Sequence, residues 1–96
     1  MFTLHIEHEI HDFDAWRAAF DGDPAGRQRS GVRHYRVARP VDDRNYVLID
    51  LDFDSAGEAE TFAHTMREVW QSPEAAPALR GAPQTRIVET VERADL

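Results

Sequence analysis

The chain contains no cysteine and no lysine; its 11 basic residues are all arginine. Without cysteine there is no disulfide framework, no thiolate nucleophile and no Cys-ligated zinc or iron–sulfur site. Long apolar runs are also missing, so no transmembrane helix is expected. The strand-like start at Phe2 has no basic segment before it, so no secretory signal is expected, and cytoplasm is the expected location. Positive charge is scarce: 18 acidic residues against 11 basic ones give a net charge of −7. Binding a nucleic-acid backbone or an anionic membrane needs a positive surface, so neither is an expected partner. The glycines lack G-x-G-x-x-G and P-loop spacing, which leaves nucleotide binding without support.

What is present describes a globular chain, 42% hydrophobic and 30% charged. Ninety-six residues suffice for one domain, residues 1–96, whose core cannot be divided. A domain this short buries only about 60–65% of its unfolded surface, so burial against a second copy would help it.

Residues 2–10 alternate, with Phe2, Leu4, Ile6, His8 and Ile10 on one face and Thr3, His5, Glu7 and Glu9 on the other. Phe13, Trp16 and Phe20 then recur at helical spacing, with Asp12 or Asp14 as cap and Gly22 as stop. Asp23-Pro24 reads as the start of a short helical turn to Ser30, stopped by Gly31. Residues 32–39 and 46–53 read as strands joined through Pro40 and a polar loop. Ser55 and Glu58 have capping-box spacing ahead of a stripe of Ala59, Phe62, Ala63, Met66, Val69 and Trp70. Ser72-Pro73 ends that helix and can begin a short one through Leu79; residues 84–92 read as the last strand.

The order β-α-β-β-α-β predicts an α+β, ferredoxin-like fold: a four-stranded antiparallel sheet with both long helices on one face. Right-handed crossovers place the first and third strands in the middle. The second face keeps His5, Glu7, Glu9, Tyr46, Leu48 and Asp50. If Tyr35 and Val37 point to the core, His34, Arg36 and Ala38 join it. Such a face can meet water. Its mixed apolar and charged character also suits an isologous contact with a second copy, so a homodimer is expected.

The element order, the "DFDAW" helix start and the "EVWQSPEAAPAL" end of the second long helix resemble the dimeric α+β barrel superfamily over about residues 2–92. That superfamily includes antibiotic-biosynthesis monooxygenases, small cyclase-like proteins and a bacterial branch without assigned reactions. The resemblance implies two sheets packed face to face, helices outside, and a pocket between sheet and helices in each subunit. Trp70 matches a tryptophan frequent in the monooxygenase branch, whereas the stretch from Ser72 to Gly81 lacks the histidine often found there.

Five histidines stand out. His5/His8 and His8/His11 have His-x-x-His spacing, but residues three apart on a strand point to opposite faces, so no metal site is expected. His8 falls on the apolar face beneath the helices. There it is either a satisfied core histidine or a general base lining a pocket, its pKa set by burial. His64 is expected to face solvent. If Val37 pairs with Val47, His34 faces Asp50. That would be either the orienting half of an acid–base site or an ion pair at a dimer interface. The candidate catalytic residues are therefore His8 first, then His34 and Asp50. Trp16, Trp70, Phe13, Phe20 and Phe62 match helical core stripes rather than a cofactor site, and no cofactor is expected.

Two functions remain open. One is a cofactor-independent monooxygenase- or cyclase-like enzyme acting on a small apolar or aromatic molecule, as the resemblance implies. The other is a non-catalytic dimeric ligand-binding or structural module, because each of these residues also has a structural explanation.

Overall fold

The computed structural model describes residues 1–96. Its elements are β1 (Phe2–Ile10), α1 (Phe13–Asp21), β2 (His34–Ala38), β3 (Tyr46–Phe53), α2 (Ala56–Trp70), a 3₁₀ turn (Ala76–Ala78) and β4 (Leu79–Glu89). The four strands form one antiparallel sheet in the order β2-β3-β1-β4. The β-α-β-β-α-β order and the central placement of β1 and β3 are as the sequence predicts.

Alternation divides the sheet. Leu4, Ile6 and Ile10 on β1 and Val47, Ile49, Leu51 and Phe53 on β3 are buried. They form the core with Trp16 of α1 and with Ala59, Phe62 and Ala63 of α2. Each helix starts at a side-chain cap. Asp12 accepts from the Ala15 N–H at 2.9 Å, and Ser55 Oγ from the Glu58 N–H at 3.1 Å.

The connections differ from the sequence reading. No helix forms between Pro24 and Ser30. Asp23 does accept from the Arg27 N–H at 2.8 Å, but its φ is 50°, not the extended backbone of an N-cap. Gly26 follows at φ 64°, which breaks any helical run. After α2, the segment from Ser72 makes turns and the short 3₁₀ element instead of a helix to Leu79, with Pro77 inside it. The chain enters the sheet at Leu79, earlier than expected, because Leu79 pairs with Ile10.

β4 is longer than expected because it contains a bulge. Glu7 pairs with Gln84, but Glu9 pairs with Arg80, so extra β4 residues lie opposite His8. Gly81 sits there at φ 81°, and Pro83 has no N–H to donate.

Leu4 is fully buried at the centre of this core. Leu4→Ala is expected to lower unfolding stability by about 2–5 kcal/mol, read as a reduced urea midpoint. A change below about 0.5 kcal/mol would contradict the core assignment.

Candidate functional site

β1 carries two histidines of opposite environment, because residues three apart on a strand face opposite ways. His8 points under the helices and is 3% exposed. Its Nδ1 lies 3.1 Å from the carbonyl oxygen of Glu9. A carbonyl only accepts, so Nδ1 carries the proton and the lone pair of the neutral ring sits on Nε2. Burial pushes the His8 pKa below its ordinary 6.5, partly offset by that backbone bond. The ring is therefore a neutral base at pH 7.

His8 lines a cavity of about 60 Å³ between sheet and helices. The walls are almost entirely apolar, with Ile6 and Ile49 from the sheet, Trp16 and Phe20 from α1, and Phe62, Met66 and Trp70 from α2. The His8 and Trp16 rings lie 6.3 Å apart. Trp16 stacks on Phe20 at 5.0 Å, and Phe20 meets Tyr35 edge-on at 5.4 Å.

Arg27 closes one side. Its guanidinium stands 4.0 Å from the Phe20 ring centroid and 4.9 Å from that of Tyr35, and it donates to the Phe20 carbonyl at 2.8 Å. The sequence pattern did not single out Arg27. It lies in an irregular loop, where periodicity carries no signal.

The opposite face of the sheet carries the second group of polar residues, wired differently from the sequence expectation. Val37 pairs with Ile49, not Val47, so Asp50 faces Arg36 and His34 faces Asp52. The expected His34–Asp50 pair does not form, because the hairpin register is displaced by two residues. His5 takes that place, paired with Asp50 across the β1–β3 ladder. His5 Nδ1 lies 2.6 Å from Asp50 Oδ1, and Nε2 lies 2.7 Å from Glu7 Oε2. Tyr46 donates to Glu7 Oε1 at 2.7 Å, and Arg36 donates to Asp50 Oδ2 at 3.1 Å. Hydrogen bonds donated by its ring to Glu7 first, then Asp50, raise the His5 pKa above 6.5. Those from Tyr46 first, then His5, hold Glu7 below 4.5. His64 is exposed and lies 3.2 Å from Glu68 on the same helix. No three His, Asp or Glu side chains converge as a metal site.

Neither a family model nor a curated protein matches the sequence. Solved structures do match. SnoaB, a cofactor-independent oxygenase from Streptomyces nogalater, superposes with a TM-score of 0.73 at 11% identity, over 96% of this chain and 94% of its own. A candidate antibiotic biosynthesis monooxygenase from Bordetella bronchiseptica gives 0.73 at 11% identity, over 95% and 98%. Another from Caulobacter crescentus gives 0.72 at 12%, over 95% and 90%. The chain has the fold of these proteins. At such identities the likeness speaks to fold, and the chemistry has to come from the side chains.

A lowered His8 pKa has a consequence for stability. The unfolded chain takes up a proton near pH 6.5 while the folded chain resists it, so this contribution to stability shrinks as pH falls below 6.5. In urea titrations below that pH, the midpoint of the native chain is expected to fall more steeply than that of His8→Leu. Parallel pH profiles would refute the buried, neutral state of His8.

Proposed function

We propose that this chain is a cofactor-independent monooxygenase- or cyclase-like enzyme for a small apolar or aromatic molecule, with His8 as its general base. The observation that carries the proposal is a buried imidazole in a cavity that is apolar apart from Asp23 and Arg27 at one side, its Nδ1 proton engaged by a backbone carbonyl. That arrangement leaves Nε2 to accept a proton from an acidic C–H or O–H of a bound substrate. An electron-rich, deprotonated substrate can then react with dioxygen or close a ring; both reactions start with the same proton transfer. The fold shared with the oxygenase SnoaB supports the reading.

The cavity of about 60 Å³ has room for a few water molecules but not for an aromatic ring system. A substrate therefore enters by displacing a wall. The loop around Asp23 to Arg27 and the turn at Ala75 to Ala78 supply walls outside helices α1 and α2 and the sheet. The small volume is also what favours the second reading, a non-catalytic binding or structural module.

The homodimer belongs to the same proposal. The face of the sheet bearing Tyr46, Leu48 and Asp50 has no helix over it, and a second copy is the occupant we assign to it. Asp50 then serves the interface through His5 and Arg36, and His34 stands beside it without a catalytic part. No helix is long and apolar enough to cross a membrane.

Thermal-shift measurements with polycyclic phenols test whether the cavity takes an aromatic ligand, and turnover of that ligand then separates an enzyme from a binding module. Stabilisation that is lost on enlarging Ala19 at the cavity wall to Phe is expected for an enzyme. With a turned-over ligand, His8→Gln should lower the rate by about 10²–10⁴-fold. Stabilisation by no aromatic compound would favour the module.

A further inference from the structure

The uncovered face of the sheet holds a chain of charge-assisted hydrogen bonds that the His8 cavity does not use. It runs from Tyr46 through Glu7, His5 and Asp50 to Arg36. Its centre is unusual, since both ring nitrogens of His5 lie against carboxylate oxygens, at 2.6 and 2.7 Å. An ionised carboxylate only accepts, so both bonds exist together only when both nitrogens carry protons. A neutral His5 would turn a lone pair toward either Glu7 or Asp50. These side chains are 29–31% exposed, shielded enough for that mismatch to matter.

The charges around the cluster follow the same logic. The groups facing His5 are Glu7 on its own strand, Tyr46, Asp50 and Asp52 on β3, Arg36 and His34 on β2, and Arg86 opposite it on β4. Glu9 and Arg80 pair at one end of the same face. Its acids are Glu7, Glu9, Asp50 and Asp52, and its arginines are Arg36, Arg80 and Arg86. The face also carries two imidazoles, His5 and His34, and of these only His5 is clamped between two carboxylates. With His5 protonated and His34 neutral the face is balanced, four charges of each sign; loss of the His5 proton leaves each copy one more negative charge.

We propose that the Glu7–His5–Asp50 bridge makes association between two copies of this chain pH-dependent, by holding the open sheet face charge-balanced only while His5 is protonated. The proposal rests on the two-copy reading above. Three features favour a second copy as the occupant. A face that mixes acids with arginines lets a two-fold rotation set charges of opposite sign against each other, whereas a face of one sign would repel its copy. Leu48, Ala38 and Val88 supply apolar contact between the charges. Finally, the face is continuous across all four strands, from β2 to β4.

The sign of the effect is fixed by the cluster. His5 titrates above 6.5, so its contribution is present below that pH and is lost as pH rises through the folded value. Glu7, held below 4.5, contributes above 4.5 and is lost only as pH falls through its own folded value. Tyr46 is held above 10.0 by its bond to Glu7 and stays protonated across this window. That linkage concerns the single chain; association draws on the same protonated His5 because the second copy meets the balanced face, so it is strongest from mildly acidic to neutral pH and weakens toward alkaline pH. A symmetric pair contains two His5 side chains, one from each copy, so the dissociation constant rises by at most about two decades per pH unit.

Sedimentation equilibrium of the full chain between about pH 6 and about pH 9.5 tests this, with His5 and His34 ring titrations followed by NMR. The expected result is a dissociation constant that rises at least about tenfold across the His5 titration. His34→Gln should keep that rise. His5→Gln should flatten it at the weaker, alkaline level. By linkage, the His5 pKa of the native chain should also be higher at concentrations where pairs dominate, a readout that needs no variant. A pair whose dissociation constant is flat while His5 titrates overturns the switch and leaves the two-copy reading standing. A monomer at every pH and concentration overturns both.

Discussion

Hydrogen bonding on both edges of β1 holds the strand between β3 and β4, and nearly every other feature follows from that placement. A strand in this position presents two faces with a period of two residues. Its odd positions, Thr3, His5, Glu7 and Glu9, must therefore share a face opposite Leu4, Ile6, His8 and Ile10. A slip of one residue against β3 would drive His5 and Glu7 under the helices and lift Leu4 and Ile6 out. Burying those ionisable groups without their partners costs several kcal/mol, so the register is strongly fixed.

The same constraint gives two histidines of one strand opposite chemistry. His8 loses its hydration shell beneath the helices and stays neutral, with one nitrogen occupied and the other free to accept. His5 gains two carboxylates on the far side and holds its proton. Neither property belongs to the residue type. Both come from which side of one backbone the ring leaves, and then from what the flanking strands bring opposite it. β3 brings Asp50 to His5, while α1 brings Trp16 to His8.

The sheet and both helices were legible because burial imposes periods of 2 and 3.6 on the residues that form them. Phe13, Trp16 and Phe20 declare α1, and the alternation of β1 places His8 in the core without any knowledge of the fold. Register was not legible. The loop between β2 and β3 is long enough to allow several pairings, and a displacement by two residues leaves every side chain on its expected face. That is why His5, Glu7, Asp50 and Arg36 fell on the right side of the sheet while the bridge was assigned to His34. Proline and glycine misled where they punctuate loops. Asp23-Pro24 has the composition of a helix start, but the positive φ at Asp23 and Gly26 produces a sequence of turns. Arg27, packed on Phe20 and Tyr35, had no local signal, because its partners lie on α1 and β2.

The bulge opposite His8 also affects how the molecule can meet its neighbours. An outer strand with an unbroken row of N–H and C=O groups would invite another chain to extend the sheet sideways, the route by which small β-containing domains form fibres. Here the outer strand β4 is interrupted at Gly81 to Pro83, where proline offers no donor and the backbone turns out of the ladder. The other outer strand, β2, is only five residues long. With both margins poor templates, sideways polymerisation through the sheet edges is discouraged.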